Sequence, residues 1–239
     1  EGIQVAGQVY PMVGSEWLLR KRGVGISNHF EVGAFLSLSE KQSIPDVQME
    51  CIAMRGDFAP EGISIESGFQ CFTSIQRPSS RGKVWIDNAD PARAPKFKFN
   101  YLSTDNDKKI AIGAIKATQK IFQQSAWKGR LTSELSGCDQ LKSDSAIMQW
   151  AHAHVESNYH PCGTCRMGID DGAVTDEAGK VHGFNNLRIV DASIIPSIPT
   201  GNLNAITVMI AEKIADSIMG LSALEPEYPT HNLQQKQRI

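Results

Sequence analysis

The period of the hydrophobic pattern changes from strand-like to helical partway along this chain, and that change restricts the fold more than any other feature. From Val5 to about Ile86 the chain reads as strands and loops. Val47-Gln48-Met49-Glu50-Cys51-Ile52 alternates apolar with polar side chains, as a half-buried strand should. Phe69, Cys71, Thr73 and Ile75 alternate with Gln70, Phe72, Ser74 and Gln76 in the same way. His29 to Leu38 is a further strand candidate. Pro78-Ser79-Ser80-Arg81-Gly82 reads as a turn, with Lys83-Val84-Trp85-Ile86 as a returning strand. Strands joined by short turns favour antiparallel pairing. The spacing then becomes helical: Ile110, Ala114, Ile115, Ala117, Thr118, Ile121 and Phe122 follow Asp105-Asn106-Asp107, which can cap the helix. Ser143-Asp144 introduces a second helix through Ile147, Trp150 and Val155, and the polar stretch 129–142 between the two is irregular. The expectation is an α+β fold, an antiparallel sheet flanked by helices.

The C-terminal third has its own grammar. Gly179 to Gly183 is turn-like, and Leu187-Arg188-Ile189-Val190 is a short strand ended by Asp191-Ala192-Ser193. A loop marked by Pro196 and Pro199 leads through Thr200-Gly201-Asn202-Leu203-Asn204 into an apolar helix. Its core positions are Ile206, Met209, Ile210, Ile214 and Ile218, and Gly220 stops it. Such a strand, loop and helix suit the edge of an α/β sheet. Leu221 to Ile239 is polar and aperiodic, a tail of low order.

Composition excludes whole classes. The 24 basic and 26 acidic residues leave a net charge of −2, no electrostatic footprint for nucleic acid or an anionic membrane surface. The longest apolar run, Ala205 to Ala211, falls far short of the roughly 18 residues a membrane helix needs. Five cysteines in 239 residues are too few and too odd for a disulfide framework and point to a reducing compartment. Cys51, Cys71 and Cys138 read as small buried apolar residues. The opening Glu1-Gly2-Ile3-Gln4 lacks an initiator Met, and the chain reads as a piece of a longer protein.

Among six histidines, His231 lies in the tail, His152 and His154 on a polar helix face, and His29 and His182 in loop contexts that suit structural roles. His160 differs, because it sits in Asn158-Tyr159-His160-Pro161-Cys162-Gly163-Thr164-Cys165-Arg166-Met167-Gly168. Pro161 confines it to extended backbone angles and ends the preceding helix, placing the imidazole on a loop beside a Gly-rich turn. The rival reading of this segment is Cys162-x-x-Cys165 as half a zinc site or a redox dithiol. A zinc site needs two further ligands, and no second Cys-x-x-Cys or His-x-x-x-His exists. Asn202 and Asn204 open the last helix. The simplest reading makes Asn204 its N-cap and Asn202 a turn residue, while the free N–H groups and positive dipole end there suit an anion or an electron-rich ring.

Taken together, these segments resemble the C-terminal half of the glucose–methanol–choline (GMC) oxidoreductases. The carrying blocks are Gly25-Ile26-Ser27-Asn28-His29-Phe30-Glu31-Val32-Gly33, Gly68-Phe69-Gln70-Cys71, Arg77-Pro78-Ser79-Ser80-Arg81-Gly82-Lys83-Val84 and Phe99-Asn100-Tyr101. The Tyr159 to Gly168 segment, Leu187 to Ile194 and Thr200 to Ala205 complete the set, in order, as far as about Gly220. The likeness is strongest to members that oxidise choline to betaine aldehyde by hydride transfer to FAD. The resemblance implies a catalytic pair of His160 and Asn202, the second placed 42 residues later by counting back from Glu212-Lys213-x-Ala215-Asp216. It implies that Asp191, Ala192, Asn204 and Ala205 touch FAD, and that Tyr159 suits the wall of a quaternary-ammonium pocket. Cys162 and Cys165 become packing residues, and no metal is expected.

The same resemblance implies a domain plan. Residues 1–154 form the substrate-binding domain, residues 155–220 carry the catalytic loop and complete a Rossmann-like FAD-binding domain, and residues 221–239 form a flexible tail. No Gly-x-Gly-x-x-Gly unit opens a strand-turn-helix here, so the N-terminal FAD-binding half is expected outside this chain. By itself the chain should bind FAD weakly or not at all. Expected partners are choline or a similar small alcohol and a respiratory electron acceptor, in the cytoplasm with peripheral association at the inner membrane; no nucleic acid is expected. The alternatives are a GMC dehydrogenase or oxidase for a different primary alcohol, and a non-catalytic module when the chain stands alone.

Overall fold

A computed structural model describes residues 11–28, 30–38, 43–53, 55–59, 62–66, 68–131, 134–222, 224, 225 and 227. The structural role expected of His29, and that of His231 with nearly all of the expected tail, lie outside the described residues. The chain divides into two compact units, residues 1–160 with 197–202 and residues 161–196 with 203–239.

The first unit is built on a three-stranded antiparallel sheet of β1 (Val32–Leu36), β2 (Val47–Ile52) and β5 (Gln70–Ile75), in the order β1-β2-β5. Met49 faces Ala34 on one side and Thr73 on the other. Because β2 is central, its burial does not alternate as the half-buried strand pattern leads one to expect: Val47, Gln48 and Met49 are all buried. Val47 and Met49 pack with Ala114 of the long helix α2 (Asp105–Phe122), with Ile110, Ile121 and Cys71 around them. On its other side α2 offers Ala111 and Ile115 to Ile147 and Ala151 of α3 (Asp144–His154), with Leu102 between. Full burial of a side chain such as Val47 or Ile147 stabilises by roughly 1.5–3 kcal/mol. Ser143 caps α3 as its sequence suggests, accepting from Ala146 N at 3.2 Å.

The start of α2 decides the chain path around it. Its N-cap is Thr104 rather than the Asp-Asn-Asp run, and this frees Asp107, only 1% exposed, for another task. The Asp107 carboxylate accepts from Ser79 N at 2.9 Å, Ser79 Oγ at 2.9 Å and Ser80 N at 2.7 Å. Burial by itself would raise this carboxyl, but the hydrogen bonds from Ser80 and Ser79 outweigh it and hold the pKa at about 2. The segment after β5 is thereby pinned to the helix and does not turn back as a hairpin. The expected returning strand, β6 (Lys83–Trp85), pairs with β7 (Lys96–Lys98) instead of with β5. Gly82 is obligatory at this crossing, since a Cβ there would stand on the Lys98 carbonyl oxygen and 2.6 Å from that of Phe99.

Besides β7, one hairpin and one helix escape the sequence reading. The hairpin of β3 (Arg55–Ala59) and β4 (Gly62–Glu66) is inserted in the chain between the paired strands β2 and β5, and helix α1 (Pro11–Arg20) stands where strands and loops are expected. Proline at the first helical position of α1 presets the backbone for that helix. The β1 candidate is shorter than His29–Leu38.

The second unit has no paired strands among the described residues. Fully buried Thr175 makes isolated bridges to Met167 and Val181, and Lys180 bridges Arg188. Val181 N donates to Leu187 O at 3.0 Å and Ile189 N to Gly179 O at 2.9 Å. The strand expected over Leu187–Val190 is therefore one arm of a small closed turn. Gly179 permits that closure at φ +70, because a Cβ would stand 2.6 Å from Ile189 O and 3.2 Å from Ile214 Cδ1. Helix α4 (Leu203–Met219) buries Leu203 and Ile214. It ends as expected at Gly220 (φ +72), where Leu221 N reaches back to Asp216 O at 2.9 Å. No described helix is long and apolar enough to cross a membrane.

Candidate active site

Strand β2 presents two faces of opposite chemistry. Val47, Met49 and Cys51 lie on the face toward α2, and Gln48 and Glu50 on the other. Register places Ser74 across from Gln48 and Phe72 across from Glu50, and Gln76 follows just after β5, so a polar cluster forms around Gln48. A polar side chain buried in the middle of a sheet needs partners to offset its desolvation. Gln48 finds them in Glu50, Gln76 and Asn202.

The loop after α3 brings His160 to this cluster. Asn158 Nδ2 donates to Ser74 Oγ at 2.8 Å, and Tyr159 N and His160 N return to Ser157 at 3.1 and 3.4 Å. Asn158 and Tyr159 both lie in the left-handed region, with φ of +48 and +59. Two successive non-glycine residues in that region store backbone strain of order 1–3 kcal/mol each. Surrounding contacts hold it, and the result is a fixed platform for the imidazole.

His160 and Asn202 meet, with Asn202 Nδ2 at 2.8 Å from His160 Nε2. Asn202 Oδ1 accepts from Gln48 Nε2 at 3.0 Å. His160 is half-buried and Asn202 exposed, so the pair is open to a ligand. Tyr159 stands beside them, 82% exposed. An imidazole nitrogen beside a neutral amide donor can take a proton from a hydroxyl that displaces their direct contact, while the amide donates to the same oxygen.

The residues expected at the cofactor lie in the second unit. Asp191 accepts from Ser193 N at 2.7 Å and so caps the single 3-10 turn Ala192–Ile194, leaving one carboxylate oxygen for other partners. Asn204 is not the N-cap of the last helix: α4 begins at Leu203, which puts Asn202 at the cap position and Asn204 and Ala205, both exposed, in the first turn. The earlier start follows from Leu203, an apolar side chain that the helix buries. No acidic residue occupies that turn.

The remaining candidates have local roles. His182 Nε2 lies 3.0 Å from Gly168 O, and His154 stacks on Trp150 at 4.2 Å. Burial raises the Cys71 and Cys138 thiols, the latter to about 11, as suits packing residues. Among the described residues no group of three or more His, Cys, Asp or Glu side chains is arranged to hold a metal ion. Sequence reasoning missed Gln48, Glu50, Ser74 and Asn158. For Gln48, Glu50 and Ser74 the signal was present as the polar half of the strand alternation, which reads by default as a face turned to water; Asn158 lies inside the His160 motif itself.

The comparisons with known proteins agree with one another. A family profile for GMC oxidoreductases matches residues 78–211. Proteins of Citrobacter koseri and Escherichia coli, each named oxygen-dependent choline dehydrogenase, are 44% and 42% identical over 214 residues. The alignments cover 90% of this chain and 38% of theirs, so the chain spans well under half the length of these curated relatives. Among solved structures, pyridoxine 4-oxidase from Mesorbium loti superposes with a TM-score of 0.70 at 28% identity, covering 82% of this chain and 39% of that one. A formate oxidase of Aspergillus oryzae shares the fold, with a TM-score of 0.71 at 23% identity over 88% of this chain and 41% of its own. The profile runs from the Pro78 turn through His160 and Asn202 into α4, and this chain belongs to the GMC oxidoreductases.

Proposed function

We propose that this chain carries the catalytic pair of an FAD-dependent alcohol dehydrogenase whose substrate is choline or a small alcohol like it. The observation that carries the reading is the 2.8 Å contact between Asn202 Nδ2 and Nε2 of His160, which a strained, anchored loop holds in place. The choline assignment is supported by relatives named for choline and 42–44% identical over 90% of the chain.

The residues present fit part of the cofactor. The first turn of α4, free of acidic side chains and bordered by exposed Asn204 and Ala205, offers backbone N–H groups and a positive dipole end to an electron-rich ring. Asp191 and Ala192, at a tight capped turn, suit the ribityl–phosphate region. When bound, flavin supplies the acceptor for the hydride that leaves the alcohol carbon. The rest is the work of this chain. The alcohol hydroxyl displaces the direct His160–Asn202 contact and bonds to both side chains; Nε2 receives its proton, and Asn202 Nδ2–H donates to the oxygen as negative charge develops there. The exposed Tyr159 ring offers its face to a quaternary ammonium group. On this reading the electrons pass to a respiratory acceptor.

The test is a visible absorption spectrum of the full-length protein containing this chain, before and after anaerobic choline. A flavin band that bleaches supports cofactor, reaction and substrate together. A band indifferent to choline keeps the family chemistry and removes the substrate, and no flavin band overturns the reading. Peroxide formed in place of reduced quinone would replace the respiratory acceptor with the oxygen in the relatives' names.

A further inference from the structure

The His160–Asn202 pair is the end of a longer chain of hydrogen bonds. Gln48 Nε2 donates both to Glu50 Oε1 at 2.7 Å and to Asn202 Oδ1 at 3.0 Å. Gln76 Nε2 reaches Gln48 Oε1 at 3.4 Å and Ser74 O at 3.3 Å. Gln48 and Gln76 are 8% and 5% exposed, so little water is available to substitute for a wrong partner.

An amide side chain has no direction of its own, since half a turn exchanges its oxygen and nitrogen. A carboxylate has one, because it only accepts. Glu50 therefore requires nitrogen, not oxygen, from Gln48. The second proton on that nitrogen requires oxygen from Asn202. The Asn202 nitrogen is then turned to His160, and the ring nitrogen it faces must hold a lone pair. Reversing any one link would set two donors or two acceptors against each other. The cost of this order is visible at Gln76, whose Oε1 is buried without a hydrogen-bond partner because its nitrogen is committed to Gln48 and Ser74.

We propose that Gln48, oriented by Glu50, is a positioning residue that fixes the direction of the Asn202 amide and through it keeps Nε2 of His160 unprotonated. This rests on the reading of His160 and Asn202 as the catalytic pair and adds what makes that pair a base. The described side-chain partners of Gln48 are Glu50, Gln76 and Asn202. Gln48 acts 154 residues away in sequence, through Asn202.

The experiment uses the full-length holoenzyme with 15N-labelled histidine, the His160 signals being assigned by their loss in His160→Gln. In the wild type the Nε2 shift should be that of an unprotonated nitrogen and Nδ1 that of a protonated one. Glu50→Gln keeps the shape of the side chain and removes its acceptor-only character; it should give mixed tautomers. Choline turnover in that variant should fall by at least about tenfold, with KM nearly unchanged. Gln48→Met should give the same two changes, and Glu50→Asp should restore part of both. If Glu50→Gln leaves the tautomer and kcat as they were, the positioning role is overturned and the catalytic pair stands. If it lowers thermal stability alone, Gln48 and Glu50 are structural, and the proposal fails equally. Normal choline turnover in His160→Ala would overturn the catalytic pair itself, whatever tautomer His160 shows. Should Gln48→Met fail to fold, the isosteric Glu50→Gln carries the decision.

Discussion

The two faces of strand β2 come from six consecutive residues and do different work. Toward α2, Val47 and Met49 are packed by Ala114, Ile110 and Ile121, and what they contribute is stability. On the opposite face Gln48 and Glu50 are tied to Asn202, and what they contribute is direction. Gln48 is buried, as Val47 and Met49 are, so burial by itself does not tell a core from a site. The partners decide. An apolar neighbour asks only for volume, whereas a donor–acceptor chain asks for orientation, and orientation is what proton transfer needs.

The largest effect should come from the polar face. His160→Ala in the full-length protein should lower choline turnover by about 10²–10⁴-fold. Its thermal midpoint should barely move, as a loop residue half open to solvent contributes little packing. Next is the apolar face, where Met49→Ala should cost about 2–5 kcal/mol in denaturant unfolding. The remaining folded molecules should turn over at the normal rate. A variant of Met49 that kept its stability and lost activity would break the contrast between the faces.

Asp107 tests whether the frame of the first unit depends on one carboxylate. Its folded pKa of about 2 lies below the ordinary 3.8, so the charged form is favoured by folding. The stabilisation is present above 3.8 and is lost as pH falls toward about 2. Asp107→Asn should lower stability by on the order of 2 kcal/mol at neutral pH, and the gap to wild type should close in acid. A gap that did not narrow in denaturation curves near pH 2 would remove ionisation as the cause. The smallest effect is expected at Ser74, where Ser74→Ala removes the anchor of Asn158 at a cost of about 0.5–1.5 kcal/mol. Its trace should be a modest fall in kcat; a loss of stability larger than that of Met49→Ala would contradict the division of labour between the faces.

Much of this molecule was legible before any coordinates. β2, β5, the bodies of α2 and α3 and the Gly220 stop follow from local periodicity and capping, and local rules govern them. His160 stood out because proline follows it. The hairpin β3–β4 and the pairing of β6 with β7 were not legible, because strand partners are chosen by long-range contacts. Here the choice turns on Asp107 holding Ser79 and Ser80.

The site divides along the same line. Residue types and their order along the chain are properties of the sequence; they mark His160 as a candidate and carry the family, and through that resemblance Asn202 becomes its expected partner. The sequence also contains Gln48 and Glu50, in an alternation that any half-solvated strand would show. Only the tertiary structure puts that strand at the centre of its sheet and turns its polar face to a loop more than a hundred residues away. Hydrogen-bond direction is a relation between groups in space, with no periodic trace along the chain, so the fold alone could decide it.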